Sequence, residues 1–202
     1  MHNDRTAEKA FWNDRYSRDP RAPSKPSGFL VKYEHLLPGQ GIALDIACGT
    51  GDNAMFLARQ LNVVGIDISD VAINIAKKKV SIAGMESRIT FIVDDSRDAL
   101  ERGESSQYDI VASIDYFEPD IVPSMKRVLK PGGTVIIQAY TTNDEHLGAS
   151  KRMKDKLVTE ESFFEPGMFG GFWILVHEID DFGDIKNRKR QRVNMIARKP
   201  FT

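Results

Sequence analysis

Residues 42–67 constrain this chain more than any other stretch. Ile42, Ala43, Leu44, Asp45, Ile46, Ala47 and Cys48 make an apolar run that Gly49-Thr50-Gly51 breaks. Ala54, Phe56, Leu57, Ala58 and Leu61 then recur at helical spacing, and Val63, Val64, Gly65 and Ile66 lead to Asp67. An apolar run bounded by glycines reads as a buried strand, so the stretch predicts strand, glycine turn, helix, strand. Asp52 and Asn53 offer side-chain oxygens where that helix should start.

Such a unit carries a definite chemistry. Small residues let the backbone approach a ligand, N–H groups at the helix start favour a polar or negative group, and an acid after the second strand can accept both hydroxyls of a ribose. A nucleoside-containing cofactor suits this arrangement. The dinucleotide pattern G-x-G-x-x-G is incomplete, because Asp52, Asn53 and Ala54 follow Gly51 and no third glycine allows close helix packing. No Gly-Lys-Ser/Thr of a P-loop follows either. Asp45 is an awkward neighbour for a pyrophosphate and a better one for a cofactor with an amino group and a sulfonium charge.

LDIACGTG, with Asp45, Cys48, Gly49 and Gly51, resembles the first motif of the class I, Rossmann-like S-adenosylmethionine-dependent methyltransferases. YDIVASID (108–115) and RVLKPGGTVII (127–137) resemble that family's fourth strand and the turn into its fifth, so the likeness covers roughly residues 40–140. It implies an α/β fold: a seven-stranded, mostly parallel sheet with the last strand antiparallel and helices on both faces. S-adenosylmethionine is the implied cofactor. Asp45, Ala47, Cys48, Gly49, Gly51 and Asn53 would line its first turn, and Asp67 and Ile68 its ribose. FIVDDS (91–96) places Asp95 where the family has the acid beside the adenine, with Asp94 one register away and Ser96 next to it. Ser113 would complete the cofactor set. Ala47 stands where the family often has glycine.

The amino-terminal FWNDRYS (11–17), followed by Pro-Ser and FLVKY (29–33), resembles small-molecule methyltransferases of the tellurite-resistance and thiopurine-methylating group. In those proteins this part packs over the cofactor. The likeness implies a helical lid over residues 1–37, with Trp12 and Tyr16 closing it, and a cofactor-binding domain over residues 38–202. The plainer reading is that Phe11, Trp12 and Tyr16 cover the edge of the sheet.

Composition sets the remaining bounds. At 202 residues the chain suits one well-buried domain, and a formal charge of −1 gives no general attraction to polyanions. One cysteine excludes an internal disulfide, and within the glycine turn it reads as packing. The four histidines are scattered without ligand spacing. A polar start and the lack of an 18-residue apolar stretch predict a soluble, cytoplasmic protein, monomer or homodimer. Lys77, Lys78 and Lys79 fall on the late turns of a helix starting near Ser69 and read as solvated. The basic run Lys186, Arg188, Lys189, Arg190, Arg192 reads as the shoulder of a hairpin between strands at 172–179 and 191–197, or as an anion site; a nucleic-acid partner is not expected without a broad basic surface.

Open α/β sheets bind ligands at strand carboxyl ends. This places Asp115 and Tyr116, after the fourth strand (108–114), and Tyr140, after the fifth (134–139), as candidate catalytic residues, with His146 in the polar segment 143–158 behind them. The implied reaction is in-line attack by a small-molecule acceptor on the cofactor's methyl carbon, with alignment and exclusion of water as the main contributions. A thiol or chalcogen nucleophile needs little help from a base. Two other readings compete: a cofactor-binding regulatory module without turnover, and an RNA or protein methyltransferase. The glycine-rich aromatic stretch GMFGGFW (167–173) reads either as a turn into the sixth strand or as a cover over a small apolar substrate.

Overall fold

The computed structural model describes residues 5–20, 25–143, 156–165, 167–184 and 189–201. His146, Lys186 and Arg188 lie outside them. The strands are β1 (Ile42–Ile46), β2 (Asn62–Asp67), β3 (Ile89–Val93), β4 (Tyr108–Ile114), β5 (Leu129–Tyr140), β6 (Trp173–Asp184) and β7 (Lys189–Arg198). They form one seven-stranded sheet in the order β3-β2-β1-β4-β5-β7-β6. The pairs β1–β2, β2–β3 and β4–β5 are parallel, whereas β7 runs antiparallel to both β5 and β6. This is the mostly parallel sheet with an antiparallel last strand that the sequence predicts. By contact density the chain divides into two compact units, residues 1–103 and 104–202.

The first unit wraps helices α1 (Arg5–Arg18), α2 (Gly28–Lys32), α3 (Asp52–Leu57), α4 (Asp70–Ile82) and α5 (Ser96–Arg102) around β1–β3. The caps follow from sequence. Ser27 accepts a bond from the Phe29 amide, Ser69 from Ala72, and Asp95 from Arg97 and Asp98, each satisfying amides that a helix start leaves open. Leu44, Ile46, Ala54, Leu57, Ile66, Ile73, Ala76 and Leu100 are buried together as the core. Helix α3 is shorter than the apolar spacing suggests: it ends at Leu57, although Leu61 remains buried. Its cap residue is Gly51 in the left-handed region, with no side-chain cap, so the oxygens of Asp52 and Asn53 are used elsewhere.

In the second unit a short 3-10 turn, Pro119–Ile121, leads into α6 (Val122–Val128), whose Val122, Met125 and Val128 are buried. Strand β5 begins five residues earlier than expected. Tyr108 pairs with Leu129 and Ile110 with Thr134, so Pro131-Gly132-Gly133 is a bulge within the ladder and not a turn before it. Gly132 sits at φ 75, with the Phe201 ring against its α-carbon. The glycine-rich aromatic stretch turns into β6 and feeds the core: Met168 and Phe169 are buried, and Phe163 stacks edge-on with Phe117 at 5.2 Å. Among the described residues no helix is long and apolar enough to cross a membrane, and no cluster of His, Cys, Asp and Glu could hold a metal ion.

Candidate cofactor and acceptor sites

At the carboxyl end of β1 the backbone turns through three left-handed residues in five: Ala47 (φ 53), Gly49 (φ 53) and Gly51 (φ 82). Glycine takes that conformation freely; alanine does not. The turn is held by the Cys48 amide donating to the Ile66 carbonyl and the Gly51 amide to the Cys48 carbonyl, both at 2.9 Å. A Cβ at Gly49 would lie 2.7 Å from the Tyr16 hydroxyl, and one at Gly51 would lie 2.9 Å from the Phe91 ring. Close approach therefore requires glycine at both positions.

Two buried acids face this turn. Asp67 accepts the Gly49 amide on Oδ2 and the Ser69 amide on Oδ1, each at 2.8 Å. A carboxylate offers about four acceptor positions, so the two amides fix its orientation and leave capacity for a ribose diol. Burial pushes its pKa up, against the pull of those amides. Asp45 is 1% exposed, and its Oδ2 has no hydrogen-bond partner among the described residues. Burial first, then the charge of Asp67, push its pKa up to about 7. An unpartnered buried acceptor beside a glycine cradle fits a ligand bearing an amino group and a ribose.

Residues 43–133 match the methyltransferase domain family. Demethylmenaquinone methyltransferase of Symbiobacterium thermophilum is 33% identical over 120 residues, 53% of this chain and 45% of that protein. Methyltransferase GfsG of Streptomyces halstedii is 31% identical over 135 residues, 63% of this chain and 48% of that one. The chain thus spans about half the length of the curated relatives it matches. The crystal structure of TehB from Haemophilus influenzae shares the fold at a TM-score of 0.70 and 19% identity, over 93% of this chain and 67% of that chain. Over residues 43–133 the chain is thus similar to methyltransferase domains, in keeping with the resemblance carried by its glycine motif, and S-adenosylmethionine is the cofactor that this likeness implies.

The structure sorts the other sequence-predicted residues. The Cys48 thiol is buried and its pKa is raised, first by burial and then by Asp45 and Asp67, as packing and not nucleophilic chemistry requires. Asn53 Oδ1 accepts the Ser27 amide at 2.8 Å, so it ties α3 to the start of α2. Asp94 accepts the Asp95 amide and pairs with Arg102. Asp95 caps α5 through Oδ1, while its Oδ2 lies 3.9 Å from Arg5 Nε. Ser96 is buried at the start of α5, and Ile68 is half-buried after β2.

Helix α1 lies across this edge of the first unit. Arg5 pairs with Asp98, Lys9 Nζ lies 3.0 Å from Asp70, and Asn13 bonds both Asp70 and the Ser69 hydroxyl. These contacts with Asn13 and Lys9 hold the Asp70 carboxyl below the usual range. Tyr16 reaches the Gly49 backbone, and its phenol pKa is raised by burial and then by Asp67. Trp12 is half-buried between Phe11 and Tyr16.

The second unit gathers the acceptor candidates. Asp115 follows β4 with φ 58, another left-handed residue that is not glycine. Its Oδ1 accepts Arg192 Nη1 at 3.0 Å, and Arg192 Nη2 reaches Asp180 at 3.0 Å. Tyr140 lies under the Arg190 guanidinium at 5.2 Å, and burial, then Asp115, push its phenol up to about 12. The Ser113 hydroxyl donates to the Tyr116 carbonyl and so shapes the loop after β4. Lys156 Nζ sits 5.2 Å from the Tyr116 ring and 2.7 Å from Glu118.

Three residues here escaped sequence reasoning. Arg192 looked like part of a solvated basic shoulder, yet its side chain is only 17% exposed and is held by two acids. A signal was present: counting back in steps of two from the buried Asn194 puts Arg192 on the same face of β7. Lys156 lay in a polar segment without periodicity. Lys79 was read as solvated, but its Nζ bonds Asp52 and Thr50 in the glycine turn.

Proposed function

We propose that the protein transfers a methyl group from S-adenosylmethionine to a small-molecule acceptor. The observation that carries this reading is the buried, unpartnered Oδ2 of Asp45 beside the left-handed turn at Gly49. The cofactor supplies an electrophilic methyl on a positively charged sulfur. Asp45 would accept its ammonium, Asp67 the ribose diol, and the amides of the turn its carboxylate, while Asp95 and Ser96 flank the adenine. Residues 1–37 act as the cap, with Tyr16 excluding water above Gly49.

On the acceptor side Tyr140 is a donor and an aromatic wall, since a phenol pushed up to about 12 keeps its proton at neutral pH. Asp115, steadied by Arg192, orients the nucleophile. This assigns the protein alignment more than proton removal, which favours an acceptor that is reactive on arrival, a thiol or a chalcogen anion. Relatives named demethylmenaquinone methyltransferase support the small-molecule class.

Radiolabelled S-adenosylmethionine with dithiothreitol, sulfide, selenide and menadiol tests the proposal. Labelled product from dithiothreitol, sulfide or selenide, lost in Asp115→Ala, is the expected result. Tight cofactor binding with no transfer to any of the four would replace the enzyme by a cofactor-binding module, and transfer to menadiol alone would move the acceptor to quinols.

A further inference from the structure

The Lys79 ammonium donates to Asp52 Oδ2 at 2.7 Å and to Thr50 Oγ1 at 3.0 Å, and Thr50 Oγ1 donates to the same Asp52 oxygen at 2.8 Å. This closed ring of three polar groups joins the late part of α4 to the glycine turn. It is well shielded: Thr50 is fully buried, and the side chains of Asp52 and Lys79 are 11% and 27% exposed. One turn earlier on α4, the Ala76 methyl lies 3.0 Å from where a Gly51 Cβ would be, so the helix abuts the turn at both points. Lys77 and Lys78, by contrast, are exposed.

The surroundings make the charge matter. Asp45, Asp52 and Asp67 bring three carboxyl groups to one short turn, and the charges of Asp67 and Asp52 repel that of Asp45 through a poorly hydrated interior. The amides of this turn are the donors that a ligand carboxylate would use. An unneutralised Asp52 beside them repels that carboxylate, and an untethered Thr50 lets three left-handed residues relax.

We propose that Lys79 is a positioning residue for the glycine turn and sets how tightly the amino-acid end of the cofactor is held. The proposal rests on the cofactor reading above. Its signature is ligand selectivity: S-adenosylhomocysteine carries the amino-acid end, and 5′-methylthioadenosine lacks it but keeps the adenine and ribose.

Isothermal calorimetry with both ligands tests it. Lys79→Met should weaken S-adenosylhomocysteine by about tenfold or more and change methylthioadenosine by less than about twofold, with Lys79→Arg restoring most of the loss. Asp52→Asn combined with Lys79→Met removes both charges, and its S-adenosylhomocysteine affinity should recover above that of Lys79→Met; this pair also serves if the single variant fails to fold. An equal loss for both ligands, or no loss for either, overturns the proposal and leaves the cofactor reading standing. Failure of the unsubstituted protein to bind S-adenosylhomocysteine overturns both.

Discussion

Ala47 is the residue on which the cofactor turn bends at the greatest local cost. A left-handed residue with a Cβ is strained by about 1–2 kcal/mol, and glycine would recover part of that at some expense in unfolded-state entropy. Ala47→Gly should therefore raise stability by about 0.5–1 kcal/mol in urea unfolding; a loss would mean that the Ala47 methyl contributes more than its strain costs. Asp45 gives a pH signature. Its native pKa of about 7 stands above the ordinary 3.8. Between those values the native chain holds a proton that the unfolded chain has released, so the contribution of this group to stability falls as pH rises through that window. Ligand binding runs the other way, because an ammonium prefers ionised Asp45. Affinity for S-adenosylhomocysteine should rise from pH 5 to about 7 and level off. Asp45→Asn should flatten both profiles, and a variant with unchanged profiles would remove Asp45 from the site. Asp67 is a poorer choice for such a test, since Asp67→Ala also strips the acceptor from the Gly49 and Ser69 amides and loosens the fold. The acids and glycines of this turn were legible because each answers to a local rule of backbone or ribose chemistry. Lys79 and Arg192 were not, because what they do depends on partners 27 and 77 residues away.

Among the elements, α1 differs in kind from the rest. None of its side chains is fully buried, and it is attached by Arg5, Lys9, Asn13 and Tyr16. Exposed ion pairs contribute about 0–1 kcal/mol each and weaken with salt, so the helix can leave without unfolding what it covers. Deletion of residues 1–20 should change the thermal midpoint little while accelerating release of S-adenosylhomocysteine. Salt should accelerate release from the full chain and not from the truncated one, a difference that competition kinetics with labelled S-adenosylhomocysteine would detect; salt-independent release from the full chain would leave α1 without a capping role. The sequence makes this helix legible because Ala7, Ala10 and Phe11 recur at helical spacing. It misplaced the end of α3, because Leu61 stays buried beyond the last helical residue, and the start of β5, because Gly132 bends the chain inside a ladder. Both are matters of pairing that no single segment reveals.

For the whole molecule, a seven-stranded, mostly parallel sheet with an antiparallel last strand followed from the motif likeness, and the buried apolar interior agrees with it. Phe163 is fully buried against Phe169 nearby and Phe117 far away in sequence, a partnership that no local pattern marks. Phe163→Ala should cost about 3–5 kcal/mol in denaturant unfolding; a cost below about 1 kcal/mol would show that the aromatic cluster collapses around the gap. At the outer margin of the sheet, β6 has β7 as its one neighbour and exposes Trp173, Ile174 and Leu175 in succession. Among the described residues no strand pairs with the other rim of β6, which is flanked by apolar side chains and has no proline to interrupt it. Concentrated solutions should consequently recruit like rims to one another, and a lysine in place of Leu175 should keep the molecules apart in light scattering.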